Sequence, residues 1–538
     1  MILAVIFDFD NTLYNYDESN KNALNALFQS LLDNQREIEI EKIYNELNFN
    51  IKHSNNTNNK FNKTIYIKQL LEKLNIPLSE YYKYFNIYES HFKIKIYDHV
   101  IEVFKLLKTN NIKIAICSNN IFIQQMNKLK ESGILEYINF VETSDECGEE
   151  KPHLNIFLKI QHKLQIPFDN IAYVGDSYRD DILPAIELNM LPFHLSNSNE
   201  LSNEYIKFDN FKHLFDYFFN YFKTVDEFIF LSKYFGQSLL NVQGQGGNIS
   251  IKLDDLIFIK SSGAILGNVT NTDGYCIANN NLCLEFLQKN NSNLKETKLF
   301  GSKIPSMETF FHSYMKKYTS HLHFTLSNIF FCSNATVELT NFKYNYSIIQ
   351  YQHPGILLAK EIQDKYTKEI NIYFLKNHGI IITSDSIEEL IEIYEYIYDY
   401  FNKSLNNKYD DLSFKINKHY RLYNKNKIIR KHDYPTSLLK NIIYCFPDLA
   451  IFAENIIIID DNLDTDNVDI FNKINGKDYN IIIMNDVYLC ADSITKLYGL
   501  IEIIDSYKIL AHYQSQYHLT SVDSKYLNNM EQEKFRKI

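Results

Sequence analysis

Ile2 to Phe7 is an apolar run of the length expected of a strand buried on both faces, and it stops abruptly at Asp8. From about residue 17 to 92 the period changes to that of helices, with Leu24, Leu27, Phe28, Leu31 and Leu32 on one stripe. The Asn-rich Ser54 to Asn62 reads as a loop between helices. Val100 to Leu107 gives another helical face. Ile112 to Cys117 is a second buried strand, Ile121 to Ser132 a helix stopped by Gly133, Phe140-Val141 a short strand and Ile171 to Val174 another. Short apolar strands alternating with helices predict a doubly wound parallel sheet, with the helices of about 15–92 inserted after the first strand.

Ser196 to Glu204 is polar, and the aromatic stretch Phe208 to Phe222 predicts a closing helix. The pattern therefore divides near 215–225, into a first domain of residues 1–215 and a second of 225–538. The second opens on a helical segment from Val225. A glycine cluster at Gly244, Gly246 and Gly247 follows, leading into the alternating Ile249, Ile251 and Leu253 of a strand. Leu256 to Ile259 and Ile372 to Leu375 are further strands. Residues 435–538 are a C-terminal extension whose only clear elements are strands at Ile456 to Ile459 and Ile481 to Ile483 and a helix at Ser493 to His512; Val487-Tyr488-Leu489 is too short to add a third strand.

At 538 residues the chain exceeds one ordinary domain, and 45% hydrophobic residues suffice for large cores. The net charge of −11 is mixed along the chain without a basic stripe, so nucleic acid is not an expected partner. No stretch approaches 18 apolar residues and no basic n-region precedes an apolar core, so neither a membrane span nor a signal peptide is expected. Seven dispersed cysteines without a Cys-x-x-Cys pair fit reduced thiols in the cytoplasm.

Chemistry gathers at the strand ends. Asp8 and Asp10 follow the first strand, Ser118-Asn119 the second, and Gly175-Asp176 the strand at Ile171, with Asp181 five residues on; Lys151-Pro152 lies in a polar loop. Two carboxylates at the carboxyl end of a buried strand are costly unless a cation or a reaction needs them, and ligands of open α/β sheets bind at that end. Asp8-Phe9-Asp10-Asn11-Thr12, Ser118, Lys151 and Gly175-Asp176 through Asp181, in this order, resemble the four motifs of the haloacid dehalogenase superfamily over roughly residues 1–200, with the helical insert in the place of its first cap. The resemblance implies that Asp8 is a nucleophile toward phosphorus and Asp10 the general acid/base. It places Mg²⁺ among Asp8, the backbone carbonyl of Asp10, Asp176 and Asp181, the last of these near the metal or orienting Lys151. Thr12, Ser118, Asn119 and Lys151 would bind the phosphoryl group. The second acid favours a phosphatase over a dehalogenase.

In the second half, His321-Leu322-His323 in an extended segment puts two imidazoles on one face, which with a third histidine could make a catalytic metal site. Spacing alone does not select the third from 16 histidines. Gly246-Gly247-Asn248-x-Ser250, Lys260-x-Ser262-Gly263, Pro305-Ser306-x-Glu308, His321-x-His323, Asn377-His378-Gly379, the Tyr351 to Leu358 stretch and the C-terminal Glu531 to Arg536 resemble the class II aldolase/adducin family, in particular its long rhamnulose-phosphate-aldolase-like members. That resemblance implies an α/β domain with a mainly antiparallel sheet. It implies Zn²⁺ on His321, His323 and His378, a substrate phosphate near Gly247, Asn248, Ser262, Gly263 and Ser306, and Glu308 as acid/base. It also implies a homo-oligomer, often a tetramer.

The expectation is a bifunctional sugar-phosphate enzyme. Its first site hydrolyses a phosphate monoester with Mg²⁺, and its second cleaves or forms an aldol bond of a ketose phosphate with Zn²⁺. Two alternatives stay open: a dehydratase or epimerase in the second domain, or an adducin-like binding module there, which predicts a missing metal triad.

Overall fold

The computed structural model describes residues 2–31, 37–52, 62–197, 204–238, 240–301, 303–332, 339–404, 421–423, 427–432, 456–458, 481–483, 487–491, 500–504 and 506–507. It divides into two compact units, Met1–Lys223 and Thr224–Ile538.

Unit 1 starts with strand β1 (Ala4–Phe7), every residue of which is buried. Helices α1 (Tyr16–Ser30), α2 (Glu37–Lys52), α3 (Lys63–Lys73) and α4 (Tyr81–His91) form the insert. They enclose a core of their own, including Leu27, Phe28, Tyr44, Tyr66, Leu70 and Tyr88. After α5 (Val100–Thr109), strands and helices alternate: β2 (Lys113–Ser118), α6 (Phe122–Glu131), β3 (Phe140–Thr143), α7 (Ser144–Cys147), α8 (Leu154–Leu164) and β4 (Ile171–Gly175). A single π turn at Tyr178–Ile182 leads into α9 (Leu183–Glu187), then come β5 (Leu191–Leu195) and β6 (Ile206–Phe208). The sheet order is β3-β2-β1-β4-β5-β6, all parallel. The chain runs from β1 through β2 to β3 on one side and crosses back from β3 to β4 on the other, so the switch point lies beside β1, and the loops after β1, β2 and β4 open around one crevice.

In unit 1 two strands escape the sequence pattern for a physical reason. β5 contains Pro192 and His194, which interrupt an apolar run, and β6 is three residues long. The aromatic helix and the helical segment from Val225 are one 26-residue helix, α10 (Phe211–Gly236), so the division between the units falls inside a helix where the pattern predicts a join. Tyr221 on its first part accepts a bond from the Ile2 amide at 3.1 Å; Phe228 on its second part packs on Tyr275, ring centres 5.1 Å apart.

Unit 2 continues with β7 (Asn248–Leu253), β8 (Leu256–Lys260), β9 (Tyr275–Asn279), α11 (Asn280–Lys289), β10 (Lys298–Phe300), α12 (Thr309–Tyr314), β11 (Tyr318–Leu322), α13 (Thr325–Phe331), β12 (Tyr346–Ile349), α14 (Ile356–Gln363), β13 (Ile372–Leu375), β14 (Gly379–Ser384) and α15 (Ile387–Ser404). Eight strands form one sheet in the order β10-β9-β8-β7-β11-β14-β13-β12. Every neighbour pair is antiparallel except β12 with β13. One face is covered by α11, α12 and α14 around Phe286, Phe311, Leu358 and Ile362. Central β11 pairs with β7 on one side and β14 on the other, His321 facing Asn248 and Ile381. That register gathers the second site.

A further sheet of β15 (Arg421–Tyr423), β16 (Lys427–His432), β17 (Ile456–Ile458), β18 (Ile481–Ile483) and β19 (Val487–Ala491) runs β15-β16-β19-β18-β17. β19 corrects the sequence reading that Val487 to Leu489 is too short for a strand: pairing to both β16 and β18 extends it to Ala491. Of the expected helix at 493–512, residues 500–504 and 506–507 are helical and the rest lie outside the described residues, as do Ser54 to Phe61 of the expected loop and Glu531 to Arg536. Among the described residues no helix is long and apolar enough to cross a membrane.

Candidate active sites

The first site lies at the carboxyl ends of β1, β2 and β4. Asp8 follows β1, and its amide bonds the Val174 carbonyl at 2.9 Å, which ties it to the end of β4. The Lys151 ammonium reaches Asp8 Oδ1 at 2.7 Å and Asp181 Oδ1 at 2.6 Å, and donates to the Tyr173 hydroxyl at 3.2 Å. Tyr173 in turn donates to Asp181 Oδ1 at 3.0 Å. All four side chains are buried. Burial disfavours the Lys151 cation, but Asp181 and Asp8 outweigh that and hold its pKa well above the ordinary value.

Thr12 Oγ1 lies 2.9 Å from Asp8 Oδ2 and 3.0 Å from Asp176 Oδ1. One hydroxyl hydrogen serves one of those oxygens at a time. Oxygens of Asp8, Asp176 and Asp181 fall within 4.8 Å of one another. Three carboxylates there face one ammonium. Burial first, then Asp181 and Asp176, push Asp8 up against the pull of Lys151, and burial and Asp181 also raise Asp176, so these carboxylates stay ionised together only beside a further positive charge. An all-oxygen, anion-rich cluster of this kind fits a hard divalent cation such as Mg²⁺.

Ser118, buried, ends β2. Asn119 beside it uses both ends of its amide on the Lys151 backbone: Oδ1 accepts from the amide at 2.7 Å and Nδ2 donates to the carbonyl at 3.1 Å. Its contact is with the lysine's main chain. The Asp10 carboxylate stands outside the three-carboxylate cluster, held by Lys128, Tyr14 and Asn120. Gly175 is required by close approach, since a Cβ there would lie 2.5 Å from Asp181 Cβ, Cγ and Oδ2.

The second site forms where β7, β11 and β14 run side by side. His321 is in β11, His323 just past it, and His378 just before β14. The three ring centres are 4.7 to 5.1 Å apart. His321 Nδ1 bonds the Ile380 carbonyl at 3.0 Å, which fixes the tautomer and leaves Nε2 directed into the cluster. Glu308, the residue before α12, places Oε1 3.2 Å from His321 Nε2 and 3.7 Å from His378 Nε2. Burial alone would raise its pKa, but His321, His378 and His323 together hold the carboxyl well below the usual range. Ligand atoms of Glu308, His321, His323 and His378 lie within 4.8 Å of one another. This nitrogen and oxygen donor set, buried and convergent, fits Zn²⁺.

Asn248 Nδ2 donates to Glu308 Oε2 at 3.2 Å. Gly247 has φ +70°, and a Cβ there would lie 3.2 Å from the His321 carbonyl. Ser262 and Ser306 sit on two segments laced together, the Ser262 amide bonding the Ile304 carbonyl at 3.0 Å and the Ser306 amide the Lys260 carbonyl at 3.3 Å; Gly263 follows in the same turn. Buried Lys260 donates to the Gln245 carbonyl at 2.9 Å and to Ala264 at 2.8 Å, stapling the glycine turn to that loop. Past the glycine turn, the Gly244 amide donates to Glu502 Oε2 at 2.7 Å. Gln243 donates to the His323 carbonyl and to Thr325, which meets Ser506 at 2.8 Å.

Sequence reasoning missed Lys128, Tyr14, Asn120, Tyr173 and Gln243. Asn120 adjoins Ser118-Asn119 and Gln243 the glycine cluster, but neither was given a role, and Lys128, Tyr14 and Tyr173 stand in no motif. The available signal was helical spacing: Gln125 and Lys128 share one face of α6, and Gln125 meets Asn120, which reaches Asp10.

Residues 5–191 match the family model for haloacid dehalogenase-like hydrolase, and residues 231–402 that for the class II aldolase and adducin N-terminal domain. The chain is 31% identical over 193 residues, 36% of its length and 83% of the relative's, to a glyceraldehyde 3-phosphate phosphatase of Methanocaldococcus jannaschii. It is 26% identical over 195 residues, 34% of its length and 81% of the relative's, to a ribulose-1,5-bisphosphate 5-phosphatase of Halopiger xanaduensis. Among solved structures, the N-terminal class II aldolase domain of a conserved protein from Thermoplasma acidophilum aligns at 22% identity and a TM-score of 0.31, over 39% of this chain and all of that one. The chain thus belongs to the haloacid dehalogenase-like hydrolases through its first unit and carries in its second a class II aldolase and adducin domain.

Proposed function

We propose that the chain is a bifunctional enzyme of small phosphorylated sugars, a phosphatase in unit 1 and an aldolase-type lyase in unit 2. The observation that carries this reading is the pair of buried clusters, oxygen-only around Asp8 and imidazole-rich around His321. In unit 1, Asp8 attacks phosphorus while Asp10 protonates the leaving oxygen; Asp10 then takes a proton from the water that cleaves the acyl phosphate. Lys151 has three N–H groups and three acceptors. As Asp8 loses its charge to the new ester bond, the N–H it held turns to the phosphoryl oxygens, which Ser118 would also bind. Mg²⁺ held by Asp8, Asp176, Asp181 and the Asp10 carbonyl would neutralise phosphoryl charge.

In unit 2, Zn²⁺ on His321, His323 and His378 would act as a Lewis acid toward the substrate carbonyl. Glu308, held ionised and oriented by Asn248, is placed to take up and return a proton. Gly247, Asn248, Ser262, Gly263 and Ser306, on the segments around this cluster, would bind a substrate phosphate. Convergence of the three histidines counts against a purely adducin-like binding role. The named relatives support a three- to five-carbon sugar phosphate as substrate class. The five cysteines described are free thiols, in keeping with a cytoplasmic setting, and a homo-oligomer, tetrameric by the aldolase resemblance, completes the proposal.

The test is direct. Purified chain is incubated with glyceraldehyde 3-phosphate and with ketose 1-phosphates, reading phosphate release and the appearance of two carbon fragments. The expected result is Mg²⁺-dependent phosphate release abolished by Asp8→Asn, and fragment formation abolished by His321→Ala but not by Asp8→Asn. Phosphate release that survives Asp8→Asn refutes the nucleophile; a dehydrated or epimerised product with no fragments refutes the aldol step.

A further inference from the structure

We infer that Lys128 is a positioning residue of the phosphoryl-transfer site, holding the Asp10 carboxylate in the orientation from which it exchanges a proton with the leaving oxygen. This rests on the acid/base reading of Asp10. Lys128 Nζ lies 2.7 Å from both Asp10 oxygens, a bidentate contact made by a single ammonium. Two further donors complete the grip: the Tyr14 hydroxyl to Oδ1 at 2.7 Å and Asn120 Nδ2 to Oδ2 at 3.3 Å. Both oxygens therefore carry two donors, and the carboxylate plane is fixed.

The cation itself is confined by aromatic faces. Its Nζ lies 4.9 Å from the Tyr16 ring centre, 5.7 Å from Phe92 and 5.9 Å from Tyr14. Cation–π attraction of this kind holds an ammonium without offering it a competing carboxylate. Lys128 comes from α6 of the parallel-sheet domain, whereas Tyr16 and Phe92 bound the helical insert, so the grip sits where the insert leaves and rejoins the sheet. The lysine side chain is 12% exposed, too enclosed for a solvated surface charge.

The step it serves balances. In the acid form the proton sits on Oδ2 in place of the longest of the four donors, Asn120 at 3.3 Å; the bond from Asp8 Oδ to phosphorus forms, the bond from phosphorus to the leaving oxygen breaks, and that proton passes to the leaving oxygen. Negative charge then appears on Asp10, between the two contacts to Lys128. In the second half-reaction the same carboxylate takes a proton from water as the water oxygen bonds phosphorus and the bond from Asp8 Oδ to phosphorus breaks, which frees Asp8 and inorganic phosphate. A carboxylate free to rotate would spend most of its time out of reach of either oxygen, and a displacement of about 1 Å costs on the order of 100-fold.

The experiment compares kcat/KM for p-nitrophenyl phosphate and phenyl phosphate, esters of one shape whose leaving groups differ in their need for a proton. kcat/KM covers the steps through leaving-group departure. Lys128→Met should raise the p-nitrophenyl to phenyl ratio by about tenfold or more, because general acid catalysis is worth roughly 10²–10⁴-fold where the leaving group is poor. Lys128→Arg, which keeps the positive charge but not the compact shape of the ammonium, should bring the ratio part of the way back toward the parent. Should Lys128→Met not fold, Lys128→Gln is measured in the same way. An equal loss on both esters, or no loss, overturns the inference. Asp10→Asn run alongside separates the two readings: an unchanged ratio there refutes Asp10 as the acid, whereas a raised ratio in Asp10→Asn with an unchanged one in Lys128→Met refutes only the role of the lysine.

Discussion

Replacing Gly175 by Ala adds one methyl group against the residue that holds Lys151. The new Cβ would lie 2.5 Å from Asp181 Cβ, Cγ and Oδ2, whereas ordinary contact begins at 3.4 Å, so something must yield by roughly 0.9 Å. β4 has little room to do so, being buried throughout and paired to β1 and β5. Asp181 is pinned in turn by the Ser177 amide at 3.1 Å and by Lys151 at 2.6 Å. Whichever side moves, the Lys151 ammonium is carried off Asp8. Overpacking of this kind costs about 1–3 kcal/mol of stability. A shift near 1 Å at the reacting groups costs about 100-fold in rate, or about 2.7 kcal/mol of barrier. The assay is kcat for a phosphate monoester together with urea unfolding of the same preparation. Gly133→Ala is the control: Gly133 has φ +72° and nothing within 4 Å of its added Cβ, so it should lose about 1–2 kcal/mol through backbone strain alone and keep its kcat. Activity of Gly175→Ala within about threefold of the parent would refute the claim that Asp181 positions the lysine.

Lys151→Met leaves Asp8 and Asp181 buried beside one another without their cation, and should cost about 3–5 kcal/mol by urea unfolding while abolishing phosphate release. Gly379→Ala puts a Cβ 2.1 Å from the Leu322 carbonyl and 3.0 Å from His323 Cα, so it should part β14 from β11 and weaken metal retention about 10–100-fold in a chelator titration. His312 is buried, its Nδ1 2.7 Å from Ser250 Oγ, and burial pulls its pKa down to about 3 from an ordinary 6.5. Its folded value is the lower one, so the stability it contributes is complete above pH 6.5 and is lost as pH falls toward 3. At pH 5 that loss is about 2 kcal/mol, and chelator-treated parent should lose this much more than His312→Gln between pH 7 and 5; parallel curves would refute it.

The order of apolar runs alone determined the doubly wound sheet, because a strand buried on both faces must be continuously apolar and its end shows as the first charge. Asp8, Ser118 and Asp176 were legible for that reason, each at or just past such an end. Two helices read as separate proved to be one, since α10 has aromatic residues on both sides of the division and no breaking residue between them. His321 and His323 were legible as a pair from their spacing, but His378 could be chosen only by resemblance. What brings it within 4.7 Å of His321 is the pairing of β14 with β11, between residues some 60 positions apart in the chain, which no local pattern encodes. Lys128 and Tyr173 show the same limit. A lone lysine on a helix and a tyrosine inside an apolar strand carry no signal in sequence, and only packing, by bringing each against a carboxylate out of water, made them part of a site.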